Sequence, residues 1–336
     1  MKVLGAAGCA PRLKPIFEDR PAPIFWPAPP QTPRIRYVGQ LRSSADLKPR
    51  ATFLGALARV FVGREEPHQL YGPRSVVCTK DGQRVWIADP GGRCLHLFDL
   101  EHREYRRIDK IGDSRLVSPV GLSLGPGDSI YVCDSDNTAV YHISGVTGAQ
   151  LKPLRVSPDI GRPAAVAYDS SSDELYVVDV TAHDVKVLDR NGRVRRIIGR
   201  RGNGPGDFNF PCDVVVDADM VWVVDAGNNR VQGLKRDGSP VVAFGQAGDA
   251  PGDLALPKGI ATDNDGHVYV VDGRFENIQV FDRNGRLLLV FGEEGIGPGA
   301  FWLPGGIFID HGNRVWVCDA YNRRVQVFEY LPGGIR

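Results

Sequence analysis

The sequence predicts an all-β fold in which six blades of four antiparallel strands each close into a ring, and three observations predict it. A short apolar strand with a central aromatic, ended by Asp, recurs six times. The ending residues, Asp89, Asp134, Asp179, Asp225, Asp272 and Asp319, are spaced 45, 45, 46, 47 and 47 residues apart. The chain of 336 residues holds 40 Gly and 25 Pro, enough for the many tight turns that short strands need. A period of this length, kept over six copies, is the signature of a six-bladed β-propeller.

The elements of one blade are clearest in the fifth copy. Gly259 to Asp263 forms a first strand, Asn264-Asp265-Gly266 a turn, Val268 to Val271 a second strand and Ile278 to Phe281 a third. A turn at Arg283-Asn284-Gly285 then leads into Leu287 to Phe291. Asp-Gly and Asn-Gly are hairpin pairs because both reach positive φ easily. A proline precedes each first strand (Pro73, Pro119, Pro163, Pro211, Pro257, Pro304), where its missing N–H costs nothing because the ladder has not begun. Linkers such as Asn203-Gly204-Pro205-Gly206-Asp207 and Gly297-Pro298-Gly299 carry the chain from the outer edge of one blade to the inner strand of the next. The sixth copy stops after three strands, at Phe328. Arg59-Val60-Phe61-Val62-Gly63 has the pattern of the fourth strands Val241 to Gly245 and Leu288 to Gly292, so this N-terminal segment is expected to close the last blade. The propeller is therefore expected over residues 51–331.

With 41 Lys+Arg against 40 Asp+Glu, the chain lacks the basic excess of a dedicated nucleic-acid binder. No run of 18 apolar residues is present to span a membrane as a helix. The charge is unevenly spread: residues 1–50 carry nine basic and three acidic side chains, which leaves the remainder at −5. Such a segment suits either a tether near an anionic membrane surface or a soluble charged linker. Eight prolines between Pro11 and Pro33 make residues 10–50 an extended spacer.

The pattern Pro-x-Gly-Ile/Val, Val-Tyr-Val-x-Asp and Asn-x-Arg-Val-Gln-Val-Phe resembles the NHL repeat over about five-sixths of the chain. It is fullest in Asp225 to Gln232 and Asp319 to Phe328, while Cys94 and Ala139 stand in other copies where Arg230 and Arg324 do here. The repeated Asp is read as the cap of a hairpin turn, with an Arg pairing to it once per blade. At the N-terminus, Val3 to Cys9 resembles the end of a bacterial lipoprotein signal, a truncated one over residues 1–9 with Cys9 as lipidation site. Phe25 to Pro30 resembles the linker of propeller lipoproteins of Gram-negative bacteria. This resemblance implies a cell-envelope location, on the outer-membrane or periplasmic side; without lipidation of Cys9 the protein would be cytoplasmic.

Cys78, Cys94, Cys133, Cys212 and Cys318 form no Cys-x-x-Cys pair and are read as buried free thiols. Six-bladed relatives include metal-dependent lactonases and lyases with a site in the central channel, but such a site needs ligands converging from several blades. Here His96 and His142 fall in third strands, His267 and His311 in outer turns, His102 in a charged hairpin, His68 in a linker and His183 near a strand end. Asp263-Asn264-Asp265-Gly266 starts like a calcium loop, yet Arg274 occupies its twelfth position. No catalytic residue, metal or cofactor is assigned. NHL propellers of the TRIM type bind RNA, and that alternative stays open beside the enzyme one. The reading we carry forward is a monomeric, non-enzymatic scaffold for a protein partner. Its candidate face is the linker side, with Arg64, Tyr71, Arg74, Arg162, Arg200, Arg201, Lys258 and Trp302; Phe208 is expected between blades.

Overall fold

Each central strand is apolar at nearly every position because a neighbouring blade covers each of its faces. Val221–Asp225 and Val268–Asp272 are buried from end to end, with no alternation. The computed structural model describes residues 15–17, 21–48, 66–151 and 159–331. Blade 1 comprises Ser75–Cys78, Arg84–Asp89, Cys94–Asp99 and Glu104–Ile108. Blade 3 spans Pro163–Asp169 to Val194–Ile198, blade 4 Pro211–Val216 to Pro240–Phe244, and blade 5 Pro257–Thr262 to Leu287–Phe291, each with four antiparallel strands. Blade 2 shows three strands, Pro119–Leu124, Ile130–Asp134 and Ala139–Ile143, and Gln150 bridges back to Ile143 just before residues 152–158, which lie outside the described residues. Among the described residues no helix is long and apolar enough to cross a membrane.

The aromatics of the repeat fill the spaces between blades. Trp86, Trp222 and Trp316 are fully buried, and each indole N–H reaches an acceptor at 3.0 Å: the Gly145 carbonyl, Asp217 and Asp310 respectively. Where inner strands converge on the axis, a side chain has no room. A Cβ on Gly306 would lie 2.4 Å from the Arg74 carbonyl oxygen, which accepts the Gly306 N–H at 3.0 Å and so joins blade 6 to blade 1.

The ring closes through an N-terminal strand, but not the expected one. Ile35–Leu41 pairs antiparallel with Arg324–Tyr330, and Phe25–Trp26 adds a short fifth strand outside it. The closing strand thus falls in the stretch read as linker, and the propeller begins well before residue 51. Prolines up to Pro33 masked a true period-2 strand in which Ile35, Tyr37 and Leu41 are buried. The segment expected to close the blade, residues 59–63, lies outside the described residues.

The repeated aspartates are all fully buried, and they do more than cap the turn that follows, as Asp89 does by accepting the Gly92 N–H at 2.9 Å. Each reaches back to accept N–H groups of the linker that enters its own blade. Asp89 takes Tyr71 and Gly72 at 2.6 and 3.0 Å, Asp134 takes Val117 and Ser118 at 2.8 and 2.9 Å, and Asp179 takes Gly161 and Arg162 at 2.7 and 3.1 Å. Asp225 takes Asn209, Asp272 takes Ala255, and Asp319 takes Trp302. Pairing with Arg once per blade is corrected: among the described residues only Arg230 and Arg324 do so. His96, Asn137 and Lys186 serve blades 1, 2 and 3, while Asp272 is held by backbone N–H groups. Several backbone donors already satisfy the carboxylate, so the side-chain partner is free to vary.

Candidate functional site

Two surfaces arise where the linkers and the loops between second and third strands share one face of the disc: the face itself and the mouth of the central channel. The face carries seven of the twelve large apolar side chains that are exposed among the described residues: Tyr71, Val117, Phe210, Leu256, Ile296, Trp302 and Tyr321. Trp302 and Tyr321 stand edge to face with ring centroids 5.5 Å apart, 49% and 59% exposed, and Tyr71 is 57% exposed. The Trp302 backbone is fixed because its N–H is held by Asp319 at 2.8 Å. The aromatic pair therefore sits on a rigid base. Phe208 is fully buried between blades, where it touches Gly199 closely enough to exclude any side chain there.

The predicted cations separate into different settings. Arg162 is exposed and turned onto blade 2, with Nε 3.3 Å from Ser135 Oγ and Nη2 3.5 Å from Asp136. Arg200 pairs with Asp207 of its own linker at 3.0 Å, and Arg201 is exposed. Arg74 follows its blade proline directly and lines the channel, where its Nη2 reaches the Lys258 carbonyl at 3.4 Å. The Lys258 side chain lies against Gly273, in the loop between the second and third strands of blade 5. Arg64 and Cys9 lie outside the described residues.

The channel runs along all six inner strands and encloses about 580 Å³. Sequence reasoning missed its carboxylate, Asp213, which accepts N–H groups from Val214 at 2.9 Å and from Ile260 of the next blade at 3.0 Å. Burial pushes the Asp213 carboxyl up to about 6 against the opposing pull of Arg74. Its signal in the sequence was a lone acid two residues after a blade proline, where Ser75, Gly121, Ala165, Gly259 and Gly306 stand in the other blades. His311, expected in an outer turn, lines the channel wall.

Cys94, His96 and Asp89 meet in blade 1 and have the composition of a thiol-nucleophile triad. The geometry is wrong for one. Cys94 Sγ at 3.3 Å and Asp89 Oδ2 at 3.2 Å approach the same ring nitrogen, Nε2, while Nδ1 faces Tyr105 OH at 2.7 Å. No second nitrogen is left to orient the base, and burial pushes the Cys94 thiol up to about 11, away from the thiolate. All five described cysteines are free, and burial raises each thiol. Asp263 closes a turn, accepting N–H groups from Asp265 and His267 at 3.0 and 2.9 Å. Among the described residues no three His, Cys, Asp or Glu side chains are grouped to hold a metal ion.

Fold and repeat together define an NHL-type six-bladed β-propeller. The family model described as Teneurin NHL domain matches residues 106–298, more than half of the chain, and the chain belongs to that family. Solved structures share the fold at low identity. A protein of unknown function from Bacteroides thetaiotaomicron is 17% identical with a TM-score of 0.62, over 78% of this chain and 70% of that one. An auxiliary nutrient binding protein from the same organism is 13% identical with a TM-score of 0.61, over 78% and 69%. A streptogramin B lyase is 14% identical with a TM-score of 0.57, over 78% and 94%. No curated protein matches the chain.

Proposed function

We propose that this chain is a non-enzymatic binding propeller whose linker face docks a protein partner, held at a bacterial envelope membrane by a lipid on Cys9. The observation that carries the docking reading is the gathering of seven exposed apolar side chains on one face, with the Trp302–Tyr321 pair on a backbone clamped by Asp319. An apolar patch on a preorganised surface is what protein interfaces use, with aromatic anchors near the centre. The small residues Ala6, Ala7 and Gly8 before Cys9 support the tether. RNA binding is less favoured, because Arg162 and Arg200 on this face already meet Asp136 and Asp207.

Photo-crosslinkers placed at positions 302 and 321 in native cells test the face against one at Val290 on an outer strand. One stoichiometric protein captured from 302 and 321 but not from 290 is the expected result, and Trp302→Ala with Tyr321→Ala should abolish co-purification while thermal melting is unchanged. Equal capture from all three positions, or loss of the fold in the double variant, would refute the docking face. For the tether, Cys9→Ser should move the protein from the membrane to the soluble fraction, and an unaltered distribution would remove that part of the reading.

A further inference from the structure

At the seam between blades 5 and 6 the linker face carries acidic groups that the fold does not require. In every blade the residue just before the third strand has a positive φ, and in blades 3, 4 and 5 its side chain touches the next linker. His183 Nδ1 accepts the Phe210 N–H at 3.0 Å, Asn229 Nδ2 donates to the Ala255 carbonyl at 2.9 Å, and Glu276 Oε1 accepts the Leu303 N–H at 3.2 Å. One polar atom does that work. Glu276 brings a second, Oε2, which is buried and has no hydrogen bond; the one other such atom among the described residues is Oδ1 of the adjacent Asn277. The linker into blade 6 adds Glu293 and Glu294, both exposed, where the linkers into blades 4 and 5 have Arg200 and Arg201, and Gln246 and Ala247. Phe301 N–H donates to the Glu293 carbonyl and Gly295 N–H to the Phe301 carbonyl, both at 2.8 Å, so these acids start from a braced backbone beside Trp302. None of the three carboxylates forms an ion pair among the described residues, and the exposed Arg274 and Arg323 of the flanking loops pair with none of them. Burial and the charges of Glu294 and Asp319 hold the Glu276 carboxyl above its usual range, against the pull of the Leu303 hydrogen bond.

Building on the docking reading above, we propose that this seam seats an arginine side chain of the protein partner, its guanidinium laid on the exposed Trp302 ring and donating to Glu276, with Glu293 and Glu294 supplying the surrounding negative charge. A buried acceptor without a donor is a standing cost that an incoming N–H group removes. A carboxylate whose charged neighbours are carboxylates gains more from a cation than from a neutral donor. Arginine fits both features at once, because a planar guanidinium stacks on an aromatic face while its edge donates to a carboxylate. The repeat does not hold these acids in place, since arginine, glutamine and alanine fill the same linker positions in other blades. The same charges turn away a partner that presents phosphates or carboxylates here.

Fluorine NMR of the full-length chain labelled with 5-fluorotryptophan tests this, with the Trp302 resonance assigned through Trp302→Phe. N-acetyl-arginine amide is expected to shift that resonance to saturation, and N-acetyl-citrulline amide, its neutral analogue, to bind at least tenfold more weakly. Glu276→Gln, which keeps an acceptor for the Leu303 N–H, and Glu294→Gln should each weaken the arginine probe at least threefold, while Glu104→Gln on an outer strand of blade 1 should leave it unchanged. In native cells, capture of the partner from a photo-crosslinker at position 321 should fall at least fivefold when both glutamates are replaced. Capture that ignores the two glutamates yet is lost in Trp302→Ala would overturn the arginine seat and leave the docking face standing; no partner captured by the unaltered chain would overturn both. Equal binding of the citrulline probe, a shift without saturation, or an arginine affinity indifferent to both glutamates would also overturn the seat.

Discussion

Arg324 shows how one side chain holds a blade, a linker and the closing strand at once. Its guanidinium is buried and donates to Asp319 at 2.6 Å, to Gln40 at 3.0 Å, and to the carbonyls of Ile296, Gly297 and Ala300 at 3.0, 2.7 and 2.7 Å. Arg230, its counterpart in blade 4, is partly exposed and meets Asp225 with two carbonyls, those of Gly204 and Asp207. Removing one partner of a buried pair leaves an uncompensated charge, at a cost of about 3–5 kcal/mol. Arg324→Met is therefore expected to lose about that much in urea unfolding and Arg230→Met clearly less; equal losses would mean that burial does not set the difference. The sequence showed the two arginines as equals. Their inequality comes from Gln40, brought in by a strand almost 300 residues away.

At the scale of elements, the closing strand decides whether six blades make a ring. Ile35–Leu41 buries Ile35 and Leu41 completely and pairs along Arg324–Tyr330, and Trp26 packs tilted against Phe291 and edge-on against Phe328, at 6.0 and 5.7 Å between centroids. Removing residues 1–47 should expose the edge of Arg324–Tyr330 and the apolar groups around Phe328. The expected outcome is a fall of more than 10 °C in the melting temperature together with self-association in light scattering. A truncated chain that stays monomeric with an unchanged melt would show that another segment closes the ring. Blades 3, 4 and 5 were legible strand by strand because turn pairs and aromatic strands repeat in phase. The closing strand was not, because pairing between distant segments leaves no local signal that distinguishes 35–41 from 59–63.

For the whole molecule, two groups of carboxylates set opposite dependences of stability on pH. Burial alone would raise Asp169 and Asp179, but hydrogen bonds from Arg236 and Ser171 in the first case, and from Gly161, Thr181, Arg162 and Lys186 in the second, hold both well below the usual carboxylate range. Their contribution is present above about pH 4 and is lost as the pH falls toward their lowered values. Asp213 behaves in reverse: with its carboxyl pushed up to about 6, its contribution is present below about pH 4 and is lost as the pH rises through 6. The stability of the native protein relative to Asp213→Asn is therefore expected to fall between pH 4 and 7 in denaturant titrations. A difference independent of pH would show that Asp213 keeps an ordinary carboxylate value in the channel.

Chain order alone carries the repeat: six Asp-ended strands at a spacing of 45 to 47 residues, the turns between strands and the proline before each inner strand. These features are local and periodic. Which segment closes the ring, that the aspartates clasp linkers as well as turns, and that Arg74 and Asp213 line the channel while Trp302 and Tyr321 stand on the face outside all depend on the folded ring. Arg74 and the Lys258 carbonyl that it reaches are 184 residues apart in the chain, and the curvature of a closed ring brings blade 5 and blade 1 to either side of Gly305 and Gly306.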